Sequence, residues 1–522
     1  MKRITTTLML ILSLLFTFVV CSDKIEDNDD NDLIIEDEVS KTIAPVLNLK
    51  AEATSLENEI ALSWKNPPDD YLFKIEITYE AIESATKASA NPMLIDAVKG
   101  EEVSLKITLP LNTSYKIGVV AINEAGVRSI RRWVEATPLK PEETSEASPL
   151  YLSRADTLMT ALTDLYLGGP RDVWNARYPN ATGPYWDGDA VVWGQGAGFS
   201  AYTAIREATT GTPLEAKYAT MESRILTSIN QFITHDANIA AYAVYPASGN
   251  QRFYDDNAWI GLDMVDLYLH SNKTEAQYLD KAVLVWEYLK KGTDEIAGGG
   301  IHWREIPATS SKHTCSTAPG AVLAAKLYMA TGEEKYLQNA ITLYAWLKNT
   351  LQDPADHLYW DNAREENGEI IIEKNKYSYN AGQPMQAAVL LYSITGERSY
   401  LTDAQDIAKA AYRKWFRPYY SAPLEKSIRI ITGNTWFNAI LFRGFIALYK
   451  AEIELYGAAD RTYITAYEHS LSHAWLSDCR QSTNLLNDDF TGNSTQSSWD
   501  ILMEGASTEM LARLASLERD GL

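Results

Sequence analysis

Apolar and polar positions follow two different rhythms along this chain. Over residues 44–138 they alternate, as in Glu59-Ile60-Ala61-Leu62-Ser63-Trp64, Lys74-Ile75-Glu76-Ile77-Thr78-Tyr79 and Val103-Ser104-Leu105-Lys106-Ile107, and a longer apolar run over 111–123 closes at Glu124-Ala125-Gly126. Alternation puts every second side chain on one face of a strand, so this segment is predicted as a small all-β sandwich. A polar, proline-bounded linker, 139–149, separates it from a region of helical spacing.

The helical region repeats. Tyrosines open helices at Tyr218, Tyr278, Tyr336, Tyr400 and Tyr463, 58 to 64 residues apart, and upstream of four of them another helix ends at Tyr268, Tyr328, Tyr392 and Tyr449. Such a period is the length of one helix pair with its loops. An opening helix over 151–167 and a closing one over 499–517 bring the total to six pairs. One helix set is apolar all round, as in Ala318-Pro319-Gly320-Ala321-Val322-Leu323-Ala324-Ala325, and the other carries charged faces, as in 280–290. Helices apolar on every side are buried. The expected fold over 150–522 is therefore an (α/α)6 barrel with an inner and an outer ring, an open solenoid being the alternative.

Turns from inner to outer helices are short, whereas the return connections are long and irregular, and long loops at one end of a rigid scaffold are where binding and catalysis concentrate. Of the fourteen tryptophans, eight fall in these loops or at inner-helix starts: Trp174, Trp186, Trp193, Trp259, Trp303, Trp360, Trp436 and Trp499. This sorting predicts an aromatic-lined mouth, as sugar clefts often have.

The N-terminus reads as a targeting device. Lys2 and Arg3 precede an apolar run over 8–20, right for a signal peptide and too short to span a bilayer. The run ends at Cys21, the expected lipid attachment site, and residues 21–43 form a tether with nine acidic residues and one basic between Asp23 and Glu38. An acidic run behind a lipidated cysteine resembles the export signal of surface lipoproteins in Bacteroidetes-type bacteria. That implies an outer-membrane, surface-exposed protein touching the membrane through its lipid alone. With Trp64 early and Tyr115 opening a late strand, residues 44–138 resemble a fibronectin type III domain, read as a spacer or docking module.

Charge then narrows the partners. With 47 basic against 69 acidic residues the net charge is −22, which argues against nucleic acid. Three cysteines and no Cys/His spacing exclude a disulfide framework and a zinc site, so neither metal nor cofactor is expected, although Cys315 and Cys479 were free to pair. Neither a phosphate loop nor a Gly-x-Ser-x-Gly elbow is present, against kinases and serine hydrolases.

One cluster carries chemistry. Phe253-Tyr254-Asp255-Asp256-Asn257-Ala258-Trp259 opens the second inner helix. Adjacent acids there can simply stabilise the helix dipole. Facing an aromatic cleft, they also suit glycosidic cleavage, which needs one carboxyl ionised and one protonated. At a separation of about 5 Å and an effective dielectric of about 20, their repulsion is about 3 kcal/mol, roughly two pKa units. Asp187, Asp189 and Asp361 are further acids able to bind sugar hydroxyls or merely solvate loops, and His313 reads as a loop residue.

Tyr254-Asp255-Asp256-Asn257-Ala258-Trp259 resembles the catalytic signature of glycoside hydrolase family 76, bacterial endo-α-1,6-mannanases, with supporting segments at Gly298-Gly299-Gly300-Ile301-His302-Trp303 and Tyr377-Ser378-Tyr379-Asn380-Ala381-Gly382. The resemblance implies a retaining hydrolase acting on α-mannan, with Asp255 as nucleophile and Asp256 as general acid/base. It also implies sugar contacts from Tyr254, Asn257, Trp259, Trp193, His302, Trp303, Tyr379, Asn380 and Trp436, His302 standing where the family often has an aromatic. A monomer is expected. Rival readings are another toroid polysaccharide hydrolase or lyase, and a non-catalytic glycan-binding lipoprotein.

Overall fold

The computed structural model describes residues 42–54, 59–82, 92–109, 113–138, 150–179, 188–305 and 310–522. The signal peptide, Cys21, nearly all of the tether, the linker, Trp186 and Asp187 lie outside the described residues. The chain divides into two compact units, Met1–Ala147 and Ser148–Leu522.

Among the described residues of the first unit, seven strands form two antiparallel sheets. β1 (Leu47–Ala53), β2 (Glu59–Lys65) and β5 (Glu102–Thr108) make one, in the order β1-β2-β5; β3 (Leu72–Ala81), β4 (Met93–Asp96), β6 (Tyr115–Asn123) and β7 (Arg132–Ala136) make the other, in the order β4-β3-β6-β7. The alternation read from the sequence explains the core. Ile60, Leu62 and Trp64 of β2 pack with Ile75, Ile77, Ile117 and Val119 of the second sheet. Ile43 is buried in the same core, so the sandwich begins a residue inside the expected tether.

Among its described residues the second unit contains twelve α-helices: α1 (Leu150–Tyr166), α2 (Val192–Ala208), α3 (Glu215–Asn230), α4 (Tyr254–His270), α5 (Ala276–Lys291), α6 (Thr314–Thr331), α7 (Glu334–Thr350), α8 (Tyr379–Thr395), α9 (Arg398–Trp415), α10 (Thr435–Tyr456), α11 (Thr462–Leu476) and α12 (Ile501–Arg519). The even-numbered helices pack in sequence, α2 on α4, α4 on α6, α6 on α8, α8 on α10 and α10 on α12, and α12 returns to α2. Each also packs on an odd-numbered partner, α12 on α1. The inner set is buried along almost its whole length because it is apolar or small on every side.

Small residues let this ring close. A Cβ on Gly382 of α8 would lie 2.5 Å from the Ile440 carbonyl oxygen of α10, and one on Gly444 of α10 would lie 2.5 Å from that of Gly382. The ring also contains a buried ionic cluster that the periodicity did not reveal. Arg443 bonds Glu509 at 2.6 and 3.0 Å and lies 3.3 Å from Asp263, which accepts from the Ser200 hydroxyl, joining α2, α4, α10 and α12. Among the described residues Asp263 Oδ1 accepts and Arg443 Nη1 donates no hydrogen bond, so ion pairing carries part of the cluster, and removing one member would leave a charge unpaired in the core.

The connections differ as expected from the tyrosine spacing. Inner-to-outer turns are 2 to 6 residues long and the returns 19 to 28. The shortest turns close on Gly332 and Gly396, whose φ angles of 73° and 74° favour glycine and whose N–H groups bond the Tyr328 and Tyr392 carbonyls at 2.7 Å. The Thr-Gly-Glu segments are therefore helix terminators. Every inner helix thus starts at the long-loop end, where six helix N-termini favour negative charge.

Candidate active site

The start of α4 has no side-chain cap from Phe253. Asp255 fills that role by accepting the Asp256 backbone N–H on Oδ1 at 2.9 Å. Its Oδ2 accepts the indole N–H of Trp303 at 3.1 Å, and the Cys315 thiol donates to the same carboxyl. Among the described residues no donor reaches the Asp256 side chain. Both acids are surrounded by protein yet partly reached by solvent.

That asymmetry sets their protonation. Burial raises Asp255 to about 6, against the lowering effect of the Cys315, Asp256 N–H and Trp303 donors. Asp256 rises well above the ordinary carboxyl range through burial and then the charge of Asp255. Near neutral pH the pair holds one carboxylate and one carboxylic acid, the two states that acid-assisted displacement requires.

The surrounding groups come from separate loops. The glycine run wraps over Trp346 of α7: a Cβ on Gly300 (φ 78°) would stand 2.6 Å from its ring, and the Trp346 indole donates to the Ala297 carbonyl at 3.0 Å. The chain then delivers Trp303 to Asp255. His313, just before α6, stacks on Trp303 with centroids 5.5 Å apart, and burial and the neighbouring His302 lower it to about 4, leaving a neutral ring. Asp361, raised by burial, accepts from Asn380 at 3.2 Å and Asn362 at 3.0 Å.

Beside the acids lies an aromatic wall. Trp436 meets Trp193 and Trp259 edge-on, each at 5.2 Å, and Tyr379 at 6.1 Å, while Tyr379 packs on Phe437 at 4.2 Å. Trp193 and Tyr379 are partly accessible; Trp259 and Trp436, at 4% and 3% exposure, form the layer beneath them.

Several residues expected to contact sugar have protein partners instead. Tyr254 is buried and stacks on Tyr288 of α5 at 4.7 Å, away from the acids. Asn257 spends its amide on the Tyr242 N–H and carbonyl and the Phe253 carbonyl, at 2.7, 2.8 and 2.8 Å, so it braces the loop before α4. His302 bonds Asp294 at 2.7 Å and the Ser311 carbonyl at 3.2 Å, leaving no ring nitrogen for a sugar. Asn380 is buried and supports Asp361. Trp174 is buried against Gly198 rather than at the mouth, and Asp189 pairs with Arg171 at 3.1 Å. Cys315 and Cys479 are both free, the one beside Asp255 and the other bonded through Sγ to the Phe490 carbonyl at 3.2 Å.

Cys315 was the residue that sequence reasoning missed, although a signal existed. The second residue of the six inner helices is in turn Trp193, Asp255, Cys315, Asn380, Trp436 and Leu502. In a ring of parallel helices these occupy one level, and five of the six belong to the site. Among the described residues no group of three or more His, Cys, Asp or Glu is arranged to hold a metal ion.

Inner-helix ends that present paired acids beside an aromatic wall have the chemistry that cleavage of a glycosidic bond needs. The family model described as glycosyl hydrolase family 76 matches residues 151–518, and the chain belongs to that family. Among solved structures it is similar to a family 76 glycoside hydrolase from a bovine Bacteroides thetaiotaomicron strain, with 38% identity, a TM-score of 0.70, and 91% of this chain and 100% of the other covered. A family 76 mannosidase from Bacteroides thetaiotaomicron is 48% identical over 71% of this chain and 100% of its own, with a TM-score of 0.69. The α-1,6-mannanase of a Salegentibacter species, at 24% identity, a TM-score of 0.56, and 70% and 99% coverage, shares the fold. The chain spans half or less of the curated relatives it matches, 50% and 28% of their lengths.

Proposed function

We propose that the helical unit is an (α/α)6 barrel that hydrolyses α-1,6-mannosidic bonds within mannan backbones with retention of configuration. Asp256 gives its proton to the glycosidic oxygen while the Asp255 carboxylate attacks the anomeric carbon, forming a mannosyl ester. Asp256, now ionised, takes a proton from water, and the resulting attack releases the sugar and restores both groups. Trp303 and Cys315 hold the Asp255 carboxylate in place, and the aromatic wall supplies flat faces for pyranose rings. The carrying observation is the unequal supply of donors: Cys315, Trp303 and the Asp256 backbone N–H converge on Asp255, and among the described residues none reaches the Asp256 side chain.

The seven-strand unit serves in this reading as a fibronectin type III-like spacer, with Cys21 carrying the lipid that anchors a monomer at the outer-membrane surface. The strand order and the acidic tether support these assignments. A time course of product length from unbranched α-1,6-mannan tests the function. Early appearance of mid-length fragments is expected; chains of unchanged length would mark a glycan-capture protein, and cleavage of uronic-acid polymers alone a different hydrolase or lyase.

A further inference from the structure

A cavity of about 420 Å³ lies between the start of α10 and the loop leading to α12. Thr432, Thr435, Asp488, Asp489, Thr495 and Gln496 line it, with Phe490 as an apolar patch. None of the acids or tryptophans described above borders it, yet it adjoins them. Thr435 precedes Trp436 in the first turn of α10, and Asn438, also in the lining, accepts the hydroxyl of Ser378, the neighbour of Tyr379, at 2.9 Å.

The lining specifies its occupant. It contains two aspartates and, among the described residues, no Lys, Arg or His, so anions such as phosphates or uronates are repelled. It is dominated by hydroxyl, amide and carboxylate groups, which suits neither an acyl chain nor an apolar peptide. Its volume falls within the range of small-ligand sites. A neutral polyol fits each condition: carboxylates and amides accept and donate to hydroxyls, and Phe490 meets the C–H face of a ring. The loop is internally braced, Gln496 receiving the Asp488 N–H at 2.9 Å and donating to its carboxylate at 3.2 Å, so the pocket is formed before anything enters it.

We propose that this cavity is a distal saccharide subsite that holds one neutral hexose unit of the glycan whose backbone lies at Asp255 and Asp256. The inference rests on the reading under Proposed function and extends it to specificity. The hexose comes either from the backbone several units away or from a side branch, and two substrates separate these sources.

Thr495 is exposed and makes none of the loop's bracing bonds, so Thr495→Trp fills the cavity while leaving the fold intact. The variant and the parent chain are compared on the shortest α-1,6-manno-oligosaccharide cleaved, on long unbranched α-1,6-mannan and on branched mannan. Loss of two polar contacts corresponds to about a tenfold rise in KM, expected on the long or branched substrate with the short one unchanged. A rise on long unbranched chains assigns the hexose to the backbone, and a rise on branched mannan alone assigns it to a branch. Equal kinetics on all three substrates would overturn the subsite. A parent chain that cleaves no mannan overturns the functional reading; retardation in a mannan-containing native gel, present in the parent and lost in Thr495→Trp, would then still support the pocket, and equal migration would overturn it.

Discussion

The indole N–H of Trp303 donates to Oδ2 of Asp255 across 3.1 Å, whereas no donor among the described residues reaches Asp256. Two neighbours on one helix turn thus differ in acidity because a loop about fifty residues further along the chain serves only one of them. A hydrogen bond to a charged group contributes about 1.5–3 kcal/mol, roughly one to two pKa units. The proposed mechanism requires Asp255 ionised, so its rise from 3.8 to about 6 places an acid limb there, below which activity is expected to fall. Trp303→Phe keeps the ring and removes the donor, and should move that limb upward by about one unit. The pH dependence of kcat/KM is the check, and an unmoved limb would show that the indole does not tune Asp255.

Cys315 should act in the same direction. Burial, followed by the nearby charges of Asp255 and Asp361, raises its thiol well above the usual range, so it remains a neutral donor. Cys315→Ala is expected to raise the acid limb, and Cys315→Ser, which keeps a donor, to restore it. A structural role alone would lower stability in both variants without moving the pH profile.

Asn257 lies within the acidic motif but works on the fold. Asn257→Ala leaves the buried Tyr242 N–H and carbonyl without partners. At about 1–3 kcal/mol per buried group, a loss of several kcal/mol is expected, read as a large fall in thermal midpoint. A KM increase with unchanged stability would return Asn257 to the substrate.

The helix pairs were legible because repeated spacing reports burial directly. The orientations within the motif were not. Successive residues on a helix point about 100° apart, so Tyr254, Asp255, Asp256 and Asn257 cannot share a direction. Tyr254 faces α5 and Asn257 the preceding loop, while Trp259, four residues after Asp255, shares its side of α4. Cys315 lies sixty residues from Asp255 and Asp361 more than a hundred, and the packing of successive helix pairs, α6 on α4, brings Cys315 near. The buried Arg443–Glu509–Asp263 cluster was hidden for the same reason, since its members sit singly on apolar helices.

The division of roles between the acids is tested most directly by covalent trapping. The protein is incubated with a slow-turnover fluorinated α-mannosyl substrate and its peptides are mapped by mass spectrometry. The account expects one mannosyl ester on Asp255, absent from Asp255→Asn and still formed in Asp256→Asn with an activated leaving group. An ester on Asp256, or turnover with no ester and an inverted anomeric product, would contradict it.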